Sequence, residues 1–279
     1  MITAEFLTEL NRFNLVIAKR VTSRFVGSRM SIRSGQGLTF EDHRIYVPGD
    51  DYRAIDWKIY GRTDKLHVRR YEEEKSLTVF TVTDSSGSMQ YKKKWDYAAM
   101  LSVGFAYLTM RDNEKFQFAT FSESFLPFRA FRGRNHLGRM IDHLNDLNVG
   151  GKSSFLPHVM KLNKMIHSRS LVVVISDFLY DIEEIKSGLL QLSKHDVKII
   201  QLLDQDEVEM PYVGEFKLKD TETGGMLKTF VSNRFKQNYK ANLKEHCDAI
   251  KNLCDKTGIQ YILCNTGEDI FDIFYRALN

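Results

Sequence analysis

From residue 76 onward the chain alternates short β-branched runs with longer stretches of helical period, and that alternation restricts the fold more than any other feature. Leu77 to Thr83 reads as the first strand and Lys92 to Arg111 as a buried helix. Phe116, Phe118 and Phe121 lie near period two, and Phe125 to Ala130 is placed as their returning hairpin partner. Leu137, Met140, Ile141, Leu144 and Leu147 mark a helix. Residues 156–167 mark another, with Pro157 tolerated in its first turn. LVVVIS at 171–176 suits a strand buried on both faces. A helix over 181–194, a strand at 197–203, a late helix, a strand at 259–264 and a closing helix complete the series. Strands separated by helices of this length pair in parallel through right-handed crossovers. The pattern therefore predicts a doubly wound α/β domain with a mostly parallel sheet and an antiparallel hairpin at one edge.

That domain is expected to span 76–279, interrupted near 205–231 by an insertion of loops or short strands carrying Pro211, Gly224 and Gly225. Residues 1–75 lack the alternation and are expected to form a smaller N-terminal appendage. It opens with an amphipathic helix presenting Phe6, Leu10, Phe13 and Ile17 on one face. A Ser, Arg and Gly-rich stretch follows, then a turn-rich segment around Pro48, Gly49, Asp50 and Asp51.

Composition narrows the setting. With 279 residues and 43% hydrophobic content the chain can build a sizeable core. Basic residues exceed acidic ones by four and are interspersed with them, so nothing pulls the chain strongly to nucleic acid or anionic lipid. Three cysteines without a CxxC pair argue against a secreted disulfide framework. The opening helix lacks the unbroken apolar segment of a signal peptide, and Trp95 to Met110 is short for a bilayer of about 30 Å. A cytoplasmic protein without stable membrane insertion is the expectation.

In a doubly wound sheet, ligands bind beyond the carboxyl ends of the strands where the strand order reverses. VFTVTDSSGSMQ at 79–90 ends its apolar strand at Asp84, with Ser86 and Ser88 following at spacing two. Asp177 follows the 171–176 strand. Between them NVGGKSSF at 148–155 combines flexible glycines with the hydroxyl of Ser153 and its neighbour Ser154. Two carboxylates and three hydroxyls without histidine or cysteine make a hard oxygen set suited to Mg²⁺, with Mn²⁺ or Ca²⁺ possible. An isolated Asp or Ser after a strand ordinarily caps the next helix. GGKSS copies the end of a P-loop, but Asp146 stands where the first glycine belongs. A metal-dependent phosphatase or esterase is the catalytic alternative, although DSSGS is not a GxSxG elbow and no residue declares itself a general base.

The segment DSSGSM resembles the DxSxS motif of von Willebrand factor A domains, whose metal-ion-dependent adhesion site takes Asp and two Ser from one loop, Thr from a second and Asp from a third. Asp84, Ser86, Ser88 and Asp177 match. Ser153 stands in the role of the threonine, with Lys152 intruding and Ser154 as its rival. Residues 44–75 resemble the stretch preceding the von Willebrand-like domain in the bacterial domain-of-unknown-function family fifty-eight, whose genes commonly neighbour MoxR-type AAA+ ATPases. The resemblance implies a noncatalytic metal-dependent interaction module, an adaptor for such an ATPase or its substrate.

Other groups are read more plainly. Asp204, Asp206, Glu207 and Glu209 are expected as a solvated acidic loop. His136, His143, His158 and His167 are expected to face solvent, and Cys247 and Cys254 to sit in the core. Arg44, Asp50, Asp51, Arg53, Asp56 and Trp57 are expected as a buried structural network.

Overall fold

The computed structural model describes residues 2–21, 39–72, 78–111, 114–128, 136–219, 221 and 224–278. The chain falls into two compact units, Phe13–Ser76 and a larger one combining Met1–Arg12 with Leu77–Asn279. The first helix, α1 (Ala4–Val21), contributes its opening turns to the larger unit, where Leu10 is fully buried and Phe6 stacks on Phe271.

In the smaller unit, β1 (Thr39–Ile45) pairs antiparallel with β2 (His67–Glu72), and α2 (Trp57–Thr63) lies between them in sequence. The turn-rich segment expected here thus contains a strand pair and a short helix. Its strands are short, polar and broken by a bulge between Phe40 and Asp42, so neither shows a clean period-two pattern. Asp56 caps α2 by accepting from the amides of Lys58 and Ile59 at 2.9 and 3.4 Å, and it also meets His43 at 3.1 Å. Arg44 pairs with Asp50 at 2.5 Å, and Asp51 accepts from the Arg53 amide at 2.9 Å. The expected buried network is thus a set of local caps and one ion pair. Trp57 is exposed rather than buried.

The larger unit is built on a six-stranded sheet. Its strands are β3 (Thr78–Asp84), β4 (Lys115–Phe121), β5 (Phe125–Pro127), β6 (Leu171–Ser176), β7 (Asp196–Leu203) and β10 (Gln260–Asn265). They stand in the order β10-β7-β6-β3-β4-β5, with all neighbours parallel except the edge strand β5. The connecting helices are α3 (Lys94–Arg111), α4 (Leu137–Asp146), α5 (Phe155–Met165), α6 (Ile182–Gln191), α8 (Asn233–Thr257) and α9 (Ile270–Leu278). Between β7 and α8, the short α7 (Gln205–Glu209) is followed by an antiparallel hairpin of β8 (Gly214–Lys219) and β9 (Met226–Val231). Among the described residues no helix is long and apolar enough to cross a membrane.

The continuous apolar run of β6 reflects burial on both faces. Val172 and Val174 join Phe80, Val82, Phe155, Ile185, Leu189 and Ile250 in one core cluster, while Val173 and Ile175 are equally buried on the opposite face. On that side α3 and α9 approach so closely that a Cβ placed on Gly104 would lie 2.0 Å from the ring of Phe274. Ring and glycine fill one another's space. Gly104→Ala is therefore expected to destabilise the fold by about 1–3 kcal/mol through overpacking. In thermal melts, Phe274→Leu should recover part of that loss in the double variant, and additive effects would contradict the contact.

Candidate functional site

The strand order reverses between β3 and β6. From β3 the chain steps outward to β4 and β5, then crosses back to β6 on β3's other side and continues to β7 and β10. Thr83 lies beside Ile175 in the parallel ladder, so Asp84 and the Ser176–Asp177 pair emerge side by side at the carboxyl edge.

Asp84 is fully buried, and three neutral donors hold it. Its Oδ1 accepts from the Ser86 amide at 2.9 Å, while Oδ2 accepts from the Ser176 hydroxyl at 2.8 Å and from the phenol of Tyr180. Ser86 Oγ lies 3.0 Å from Ser88 Oγ. The glycine loop is stitched alongside: the Gly87 amide donates to the Gly151 carbonyl at 2.9 Å and the Gly150 amide to the Ser85 carbonyl at 2.8 Å. Gly151 has φ +84, a backbone conformation that favours glycine. This path sets Ser153, nearly buried, with its Oγ 3.0 Å from the Tyr180 oxygen. The phenol has one proton; with that proton on Asp84, the Ser153 hydroxyl is the donor of the second bond. The Ser154 carbonyl accepts from the ring of His158 at 2.5 Å.

The third loop turns sharply. Phe178 holds φ +51, costly for a bulky residue, and is fixed there by complete burial and by its amide's bond to Ser176 Oγ at 3.0 Å. Asp177 directs Oδ2 to the ammonium of Lys94 at 3.0 Å, and the same ammonium reaches Glu207 Oε1 at 2.8 Å. Lys94 is wholly buried at the first position of α3, and Glu207 comes from α7 in the insertion. Of the acidic segment expected in solvent, Glu209 is exposed, whereas Glu207 turns inward to Lys94. Asp204 is buried, caps α7 and accepts from the Thr266 hydroxyl at 2.6 Å.

Burial, then the nearby charge of Asp177, pushes the Asp84 carboxyl up to about 6 against the pull of its donors. Burial, then Asp84's charge, drives the Tyr180 phenol well above its ordinary range. Burial raises Glu207 more than Lys94's attraction lowers it. Burial alone would depress Lys94, but Asp177 and Glu207 together reverse the shift and raise it. Asp177 and Glu207 therefore share one ammonium, and Asp84 has no basic partner among the described residues.

Of the sequence-predicted set, Asp84, Ser86 and Ser88 occupy one loop, Tyr180 joins Asp84 to Ser153, and the charge of Asp177 reaches Asp84. Among the described residues no group of three or more His, Cys, Asp or Glu side chains could hold a metal. The candidate donors are instead two acids with hydroxyls, and all are hard oxygens. Sequence reasoning missed Lys94, Tyr180, Ser176 and Glu207. Lys94 did carry a signal, because a lysine in the first turn opposes the helix dipole and needs a local reason. His158 also departs from expectation: it is buried, with its ring centroid 5.5 Å from that of Phe121.

The sheet order and its loops define a doubly wound α/β domain with a mostly parallel sheet and an antiparallel edge strand. The chain belongs to the protein family of unknown function DUF58, whose model matches residues 42–249. It is 26% identical over 223 residues to the uncharacterized protein Rv1480 of Mycobacterium tuberculosis, covering 77% of this chain and 70% of that one. Similar solved structures include an aerotolerance-related membrane protein from Bacteroides fragilis, at TM-score 0.44 and 14% identity over 72% of this chain and 96% of that one. A manganese-loaded TRAP protein of Plasmodium vivax matches at TM-score 0.39 and 14% identity, over 45% of this chain and 56% of that one.

Two outcomes follow from the buried charges. Well below pH 3.8, Asp84 is protonated both folded and unfolded. As pH rises from there the unfolded chain, with a carboxyl near 3.8, releases its proton first, so the fold loses stability until pH passes about 6. The difference is on the order of 3 kcal/mol. In EDTA, Asp84→Asn should melt above the parent protein at pH about 7–8, with the gap closing near pH 4; a pH-independent gap would contradict the assignment. Lys94→Met strands two carboxylates and should cost roughly 3–5 kcal/mol in urea unfolding.

Proposed function

We propose that the protein is a noncatalytic interaction module that docks a partner protein through a divalent cation. Asp84, Ser86, Ser88, Ser153 and Asp177 would hold Mg²⁺, with Mn²⁺ or Ca²⁺ as alternatives, directly or through water. The ion supplies an open coordination position that a carboxylate from the partner can fill.

The observation that carries this reading is the uncompensated charge. Above the pH at which Asp84 ionises, Asp84, Asp177 and Glu207 set against Lys94 leave two negative charges, the amount a divalent cation neutralises. A buried carboxylate held only by neutral donors is costly unless a cation joins it. The hydroxyls of Ser86, Ser88 and Ser153 stand around that acid and add neutral oxygen donors.

The same burial speaks against a hydrolase. Asp84 has no exposed surface from which to attack a substrate, and both its oxygens already accept hydrogen bonds. His158, the histidine next to the glycine loop in sequence, is committed to the Ser154 carbonyl.

The partner assignment is finer and rests on the family resemblance alone: a MoxR-type AAA+ ATPase or its substrate, met in the cytoplasm. Calorimetry with MgCl₂ and MnCl₂ tests the cation. Binding should weaken at least about tenfold in Asp84→Ala, and should weaken in the parent protein as pH falls through about 6, because the metal competes with the Asp84 proton. Capture of the ATPase should be lost in EDTA, and equal capture with and without chelator would remove metal-mediated docking.

A further inference from the structure

The β8–β9 hairpin is a two-stranded sheet with no ladder to the six-stranded one. Its register sets Lys217 directly opposite Lys228 and Glu215 opposite Phe230, so these four side chains share one face. The other face is the anchored one. Val231 there is fully buried, and Phe216 packs edge-on against Tyr212 with ring centroids 5.5 Å apart. Tyr212 in turn donates to Asp206 and lies 3.3 Å from the Tyr91 hydroxyl. The face bearing the two lysines therefore turns outward, and Met226, Lys228 and Phe230 alternate along it with Met226 69% and Phe230 61% exposed.

Three features of this face work against the hairpin's own stability. A two-stranded ribbon is marginal in water. Like charges directly opposite one another are destabilising, and neither Lys217 nor Lys228 has an ion-pair partner among the described residues. Large apolar side chains stand in solvent between them. A complement supplying acids and apolar groups at the same period of two would reverse all three at once.

We propose that the outward face of the β8–β9 hairpin is a docking surface for an extended acidic segment of a partner protein, with carboxylates alternating with apolar side chains. The carboxylates meet Lys217 and Lys228, and the apolar groups cover Met226 and Phe230, while the free strand edges offer backbone pairing. Glu215, opposite Phe230, interrupts the basic stripe that a phosphate backbone needs, and it confines the partner's carboxylates to the Lys217–Lys228 pair with apolar groups beside Glu215 and Phe230. The inference does not depend on the cation site.

Fluorescence anisotropy with the full chain and a labelled peptide of alternating Glu and Leu tests it, with a Lys–Leu peptide and oligo(dT) as comparison probes. Binding of the acidic peptide is expected, unchanged by EDTA or Asp84→Ala, which separates this surface from the cation reading. Lys228→Glu should weaken the peptide about tenfold or more. The same substitution sets an acid opposite Lys217, so amide hydrogen exchange across the hairpin should stay the same or slow. A role confined to stability would give the opposite pairing of results. Should Lys228→Glu loosen the hairpin, Phe230→Thr, which retains a strand-forming residue, carries the test, and unchanged peptide affinity there overturns the proposal. Absence of binding at millimolar peptide, equal binding by Lys228→Glu, or tighter binding of oligo(dT) also overturns it.

Discussion

The parallel pairing of β3 with β6 is the constraint on which the rest of the larger unit depends. Both strands are buried on both faces, so their register is fixed by packing above and below as well as by the ladder between them. Once Thr83 is set beside Ile175, the chain has no choice about where Asp84 and Asp177 appear. A slip of one residue would turn Phe80 and Val82 out of one cluster and carry the acids out of reach of the glycine loop. The site's precision is inherited from apolar side chains that never touch it.

That rigid frame makes an electrostatically unfavourable arrangement tolerable. Three acids and one ammonium occupy a region from which water is largely excluded, and the most deeply buried acid is the one without a cation. Tyr180 and Ser176 lower the cost by hydrogen bonding to Asp84, yet neither offsets a full charge. Phe178 adds backbone strain at the turn beside Asp177. Unpaired charge and strain concentrated on one edge, in a chain otherwise well packed, are what a binding site looks like before its ligand is counted.

The sheet was legible because its strands carry apolar runs, as in LVVVIS, or period-two aromatics, as in Phe116 and Phe118, and helical periods such as the Leu137–Leu147 series stand between them. The three loops were legible because acids and hydroxyls stand immediately after such runs. Lys94 was not, since YKKKW offers three lysines and only tertiary packing selects the one that turns inward. Glu207 was hidden because a cluster of acids after the end of a strand resembles a solvated loop, and its buried partner lies 113 residues away. The β1–β2 pair escaped notice because a bulge and polar residues erase the alternation by which strands are recognised.

Glu207 also explains how the insertion can matter to the site without lining it. Lys94 holds Asp177 with one hydrogen and Glu207 with another, so the orientation of the Asp177 carboxylate depends on where α7 sits. Helix α7 is in turn tied to the hairpin that follows it through Asp206 and Tyr212. A single buried ammonium thus answers to two loops, the one that follows β6 and the one that follows β7.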